Sequence, residues 1–272
     1  MEHPFHLYYK NQANSWFDAL PLGNGRLGAM VYGHTNVERI QLNDDSLWYG
    51  TFIDRNNPSL KEKLPEIRRL ILSGDIYAAE ELILQHMIGT PSGMRHYTLL
   101  GELDIGLNQR LPFEDGWMPN SIGAQDYSCD LDLMTGILNI SHTKDGIHYH
   151  REMFISYPAQ VMCIRYTSET PGAINLDIML NRTVISDGAI MDDRRPGRQV
   201  SGGGWAAPFA DSIRTVDDNT MLLRGHEAEV EFAAAVRVEC DGELVNPVSQ
   251  LIARSRVSVA KPYCPAFLTC SA

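Results

Sequence analysis

Residues 103–180 run as short stretches of alternating apolar and polar residues broken by tight turns, and no other feature restricts the possible folds as much. Leu103-Asp104-Ile105-Gly106-Leu107 has the two-residue period of a strand. Residues 127–133 and 136–143 read as a hairpin across Met134-Thr135. Lys144-Asp145-Gly146 supplies the next turn, with an Asp-Gly pair suited to a tight hairpin. Residues 147–157 and 160–167 pair around Tyr157-Pro158-Ala159, and Pro171-Gly172 leads into a strand over 173–180. Connections this short cannot hold the crossover that parallel strands need. The expected fold class is therefore mainly β, an antiparallel sandwich or barrel.

The amino-terminal hundred residues add strands and one helical insertion. Residues 5–9, 27–33 and 37–42 read as strands, and residues 20–26 as a tight loop in which Gly23, Asn24 and Gly25 permit positive φ. Asn57-Pro58-Ser59 is a helix start, followed by Leu60, Leu64, Ile67, Leu70 and Ile71 at three- and four-residue spacing. Ser73-Gly74-Asp75 stops that helix and starts another, with Ala78, Ala79, Leu82, Ile83 and His86 on one face and Gly89 and Pro91 at its end. The two form an αα-hairpin inserted between strands. Residues 187–208 read as a long exposed loop, and residues 221–225 and 230–238 return to strand.

Charge and cysteine content exclude several classes. With 23 basic and 34 acidic residues the formal charge is −11, which argues against nucleic acid or an anionic membrane as partner. No run approaches the roughly 18 apolar residues of a membrane span. Met1-Glu2-His3-Pro4 has neither the basic nor the apolar region of a secretory leader, so a cytoplasmic location is expected. The cysteines Cys129, Cys163, Cys240, Cys264 and Cys270 are odd in number and show no CxxC pair, which points to free thiols rather than a disulfide framework or a zinc site.

Few residues suggest chemistry. Asp44-Asp45 and Glu80-Glu81 are adjacent, but neighbouring side chains point in different directions, so solvated charge is the expectation. His148 and His150 share one face of a strand without a third ligand nearby, and the exposed face of a sheet accounts for them. Gly23-Asn24-Gly25-Arg26-Leu27-Gly28 lacks the Lys-Ser/Thr of a phosphate loop and reads as turn chemistry. Asn43-Asp44-Asp45-Ser46-Leu47-Trp48-Tyr49-Gly50 is more suggestive, because sugars are held by polar groups beside aromatic rings. A structural loop with Trp48 anchoring the core is the competing reading. The candidate substrate-binding residues are Asn24, Arg26, Asn43, Asp45 and Trp48; no catalytic residue, metal ligand or cofactor site is expected.

Two long motifs carry a resemblance. Trp16-(x2)-Ala19-Leu20-Pro21-Leu22-Gly23-Asn24-Gly25-Arg26-Leu27-Gly28-Ala29-Met30-Val31-Tyr32-Gly33 and Glu38-Arg39-Ile40-Gln41-Leu42-Asn43-Asp44-Asp45-Ser46-Leu47-Trp48-Tyr49-Gly50 resemble the opening of glycoside hydrolase family 95. The likeness continues through Leu64-Pro65-Glu66-Ile67-Arg68-Arg69-Leu70, Tyr97-(x2)-Leu100-Gly101-Glu102-Leu103, Tyr127-(x2)-Asp130-Leu131-Asp132 and residues 149–158. That family consists mainly of α-L-fucosidases, with some α-L-galactosidases. The resemblance implies an amino-terminal β super-sandwich, then a helical linker, an (α/α)6 barrel that carries the inverting catalytic groups, and a further β domain. No motif of the barrel has a counterpart here. The chain is thus expected to be an accessory domain whose partners are that catalytic domain and a fucosylated or related glycan, not catalytic alone. A stand-alone sugar-binding sandwich and a remnant without a ligand are the alternatives.

The boundary drawn is 1–253 for the sandwich and 254–272 for an atypical tail. Residues 244–272 contain no acidic residue but hold Arg254, Arg256, Lys261 and two cysteines. A truncated or frame-shifted end is the expectation there.

Overall fold

The hairpins expected between residues 127 and 168 are all present in the structure, a computed structural model. It describes residues 5–48, 52–89, 97–108, 111, 123–182, 211–227, 230–239, 243–245, 253–258 and 266–271. The predicted loop at 187–208, Tyr49, Gly50, Pro91, Cys240 and Cys264 lie outside those residues. The strands are β1 (His6–Tyr9), β2 (Leu20–Gly23), β3 (Leu27–Val31), β4 (Val37–Asp44), β5 (Gly101–Leu107), β6 (Gln125–Asp132), β7 (Ile137–Lys144) and β8 (Ile147–Ser156). They continue as β9 (Val161–Ser168), β10 (Asn175–Asn181), β11 (Ser212–Asp217), β12 (Thr220–Glu227), β13 (Val230–Glu239), β14 (Glu243–Val245), β15 (Ala253–Ser258) and β16 (Ala266–Ser271). Among the described residues they build a nine-stranded sheet, β1-β6-β7-β8-β9-β16-β13-β12-β11, and a seven-stranded sheet, β14-β15-β10-β5-β4-β3-β2. The pairings with a described register are antiparallel, as a β-sandwich requires.

Register explains which side chains form the core. Ile40 faces Leu103, which faces Leu180, and Ile105 faces Ile178, so the inner face of the seven-stranded sheet is largely aliphatic. Leu138, Ile140, Met153, Met162, Ile164 and Val236 do the same for the nine-stranded sheet, and all are essentially fully buried. Each such side chain contributes about 1.5–3 kcal/mol relative to exposure.

Two findings differ from the expected pattern. Residues 20–23 are strand rather than loop, with the turn confined to Asn24–Arg26. The second face of β5 is also buried. There Glu102 accepts from Gln41 Nε2 (3.0 Å), and Asp104 meets Arg39 Nε (3.3 Å) and Asn181 Nδ2 (3.0 Å). Burial pushes the Asp104 carboxyl up, and Arg39 opposes it.

Residues of the compositionally atypical tail have backbone in both sheets. β15 pairs with β10 and β14, and β16 lies between β9 and β13.

The chain divides into two units, Met1–Leu47 with Thr98–Glu227 and Glu231–Ala272, and Trp48–Tyr97 with Ala228–Val230. The second holds α1 (Leu60–Ser73) and α2 (Ile76–His86). Asn57 Oδ1 accepts from Ser59 N (3.1 Å), closing the turn around Pro58 before α1. Gly74, at φ +82°, donates to Ile71 O, Asp75 N donates to Leu70 O, and the Asp75 carboxylate accepts from Ala78 N to cap α2. Ile67, Leu70 and Ala79 are buried, whereas Ile71 lies outside the packed stripe.

Candidate functional site

The β2–β3 turn and the end of β4 come together because Gly23 pairs with Gly28 and Leu27 with Asp44. Gly25, at φ +90°, lets the chain reverse within the turn. Asn24 Oδ1 accepts from Arg26 N (3.0 Å) and Leu27 N (2.8 Å). Its Nδ2 donates to Ser156 O (3.1 Å) and Gln160 Oε1 (3.3 Å). Both ends of the amide are therefore engaged in tying this turn to the β8–β9 turn.

Arg26 is exposed, with Nε 3.5 Å from Asp44 Oδ2, while its carbonyl accepts from Asp45 N (3.0 Å). Asp44, read as solvated, is buried instead; its Oδ1 accepts from Ser46 N (3.0 Å) and from the Ser46 hydroxyl. Asp45 is exposed, as are Glu80 and Glu81. Asn43 is half-buried on the sheet face opposite Gly28. Asn24, Arg26, Asn43 and Asp45 thus share one end of the seven-stranded sheet, and Asp44 joins them.

Trp48 belongs to the second unit. It bridges antiparallel to Tyr97, with the rings T-shaped at 5.2 Å and 42% and 40% exposed. Tyr97 was not among the sequence candidates; its place in Tyr97-(x2)-Leu100-Gly101 was the available signal.

The other titratable groups have structural surroundings. His150 Nε2 lies 3.2 Å from Asn139 Oδ1, and burial lowers its pKa. Between the sheets Glu38 accepts from Gly33 N (2.9 Å) and sits 2.6 Å from Arg151 Nη1. Arg151 also donates to the Tyr166 hydroxyl (3.2 Å) and His34 O (2.9 Å). Burial works against the Arg151 charge, but Tyr166 and Glu38 more than offset it. His142 is buried beside them, stacked on Tyr149, with neither ring nitrogen hydrogen-bonded; burial first, then Arg151 and Lys144, push its pKa down to about 4. Cys129 is a buried thiol pushed up to about 11 by burial. Among the described residues no three His, Cys, Asp or Glu side chains gather as a metal site, and no helix is long and apolar enough to cross a membrane.

A model described as the glycosyl hydrolase family 65 N-terminal domain matches residues 7–260. The chain belongs to that family. The match is to family 65, not to the family 95 that the motifs resemble; both place the chain as the amino-terminal domain of a glycoside hydrolase. Among relatives of this family-65-type domain, "Alpha-L-fucosidase 2" of Arabidopsis thaliana is 29% identical over 178 residues, 65% of this chain and 20% of that protein. "Probable alpha-fucosidase A" of Aspergillus oryzae is 30% identical over 186 residues, 65% of this chain and 23% of that protein. The namesake of Aspergillus niger is 31% identical over 153 residues, 56% and 18% respectively. The chain spans about a fifth of the length of these curated relatives. A solved structure named "Putative kojibiose phosphorylase from human microbiome" matches with a TM-score of 0.45 at 11% identity, over 99% of this chain and 32% of that one.

Proposed function

We propose that the chain is the accessory amino-terminal domain of a family-95-type α-L-fucosidase. In this reading the hydrolysis of terminal α-L-fucosides, with inversion, belongs to an (α/α)6 catalytic domain of the same enzyme. The observation that carries it is the set of relatives named α-fucosidase at 29–31% identity. The motifs over residues 16–50 favour family 95 within that set. The accessory role is supported by how the polar residues of those motifs are used: Asn24 and Asp44 hold turns rather than face each other across an open cleft. The purified chain is expected to leave p-nitrophenyl α-L-fucopyranoside intact, with turnover appearing when the catalytic domain is supplied. Cleavage by the chain alone would overturn the reading.

One observation favours a second reading, a sugar-binding sandwich. The Trp48–Tyr97 rings leave aromatic surface exposed, as stacking on the apolar face of a sugar requires. Calorimetry with a fucosylated oligosaccharide tests it. Binding lost in Trp48→Ala supports this reading, and a flat titration of the unaltered chain excludes it.

A further inference from the structure

Asn24-Gly25 is the one Asn-Gly pair in the sequence. Such a pair is chemically labile: the backbone nitrogen that follows an asparagine can displace its side-chain amide, and a glycine there has no Cβ to hinder the approach. Gly25 is exposed, at φ +90°, and a Cβ built on it would meet nothing within 4 Å, so the turn is open to water. In the reaction Gly25 N bonds to Asn24 Cγ and gives up its proton, the Cγ–Nδ2 bond breaks, and ammonia leaves. One water then opens the cyclic imide to aspartate or isoaspartate, with no oxidant or reductant involved.

The folded chain opposes that step. Four hydrogen bonds hold the Asn24 amide in one orientation, two to Oδ1 from Arg26 N and Leu27 N, and two from Nδ2 to Ser156 O and Gln160 Oε1. The departing nitrogen has to take up a proton, yet both groups against it are acceptors. Gln160 is not placed to turn its own amide and supply one, because its Nε2 donates to Tyr157 O at 2.6 Å. We propose that Asn24 is a spontaneous modification site, hydrolysed by water when the β2–β3 turn parts from the β8–β9 turn, and that the product keeps the two turns apart. A carboxylate at position 24 still accepts from Arg26 N and Leu27 N, but it sets oxygen against the Ser156 and Gln160 oxygens with no proton between them. The change is therefore one-way, since a turn that opens long enough to react loses the bonds that closed it.

The full 272-residue chain, held in mildly alkaline buffer with and without denaturing urea and sampled by peptide mass spectrometry, tests this. Position 24 is expected to lose its amide about tenfold or more faster in urea than in the folded chain, where reaction waits on local opening. Gln160→Gly keeps a residue suited to the φ of +54° at that position and removes one acceptor from Nδ2. It should raise the folded-state rate about threefold, the worth of one ordinary hydrogen bond, and leave the rate in urea unchanged. Asn24→Asp reproduces the product: hydrogen exchange over residues 156–160 should quicken, while β6 and β7 exchange as in the unaltered chain. Equal rates in buffer and in urea, a folded-state rate unmoved by Gln160→Gly, or an Asn24→Asp chain whose β8–β9 turn exchanges as before would each overturn the proposal.

Discussion

His142 lies on the inner face of β7, where an uncharged ring is tolerated and a charged one is not. Its folded pKa of about 4 lies below the ordinary value of 6.5, so the unfolded chain takes up the proton first as pH falls. The stability contributed by the neutral ring is complete above about 6.5 and is lost between about 6.5 and 4, on the order of 3 kcal/mol in all. His142→Phe keeps a ring on Tyr149 and removes the proton site. The difference in unfolding free energy between the unaltered chain and this variant should therefore slope through that window and be flat above it. A difference that does not change with pH would show that the ring is not held neutral. Glu38 makes a related case. Glu38→Ala leaves Arg151 buried without its carboxylate and should cost about 3–5 kcal/mol in urea unfolding, while Glu38→Leu with Arg151→Met recovers most of that loss. Neither role was legible beforehand. The partners of Glu38 and Arg151 lie on different sheets, and Asn24, singled out for sugar, has its amide engaged by Ser156 and Gln160, 132 and 136 positions away.

Elements governed by local rules could be read from the sequence. The hairpins of β6 to β9 announce themselves by alternation and by turns such as Asp145-Gly146, where both residues take positive φ. The helical hairpin is equally local, because Gly74 and Asp75 close one helix and cap the next with bonds spanning three to five residues. Gly74→Ala isolates that backbone demand: a Cβ there meets nothing within 4 Å, yet φ is +82°. A cost of about 1 kcal/mol is expected, from the left-handed conformation alone. A thermal melt of the variant equal to that of the unaltered chain would show that the hairpin tolerates another closure. Alternation was least informative at β5. Its polar positions are buried too, because Gln41, Arg39 and Asn181 on neighbouring strands satisfy Glu102 and Asp104, which no local period records.

At the scale of the whole molecule, the division of the sixteen strands among the described residues between two sheets rests on pairings far apart in sequence, and the tail shows this most clearly. Ala266–Ser271 is short, uncharged and without alternation, so nothing local marks it as a strand. Its place comes from the two strands that receive it, with Leu268 opposite Ile164 on β9 and Val238 on β13. That position makes the tail a central element of the nine-stranded sheet. Deleting residues 259–272 removes β16, opens the edges of β9 and β13, and disconnects β11, β12 and β13 from the rest of that sheet. Unpaired edges of this kind promote association between chains. The shortened chain is therefore expected to lose its cooperative thermal transition in calorimetry and to elute as large species on size exclusion. If instead it melts as sharply and at the same temperature as the full chain, β16 contributes nothing to the sheet, and the tail is dispensable to the sandwich.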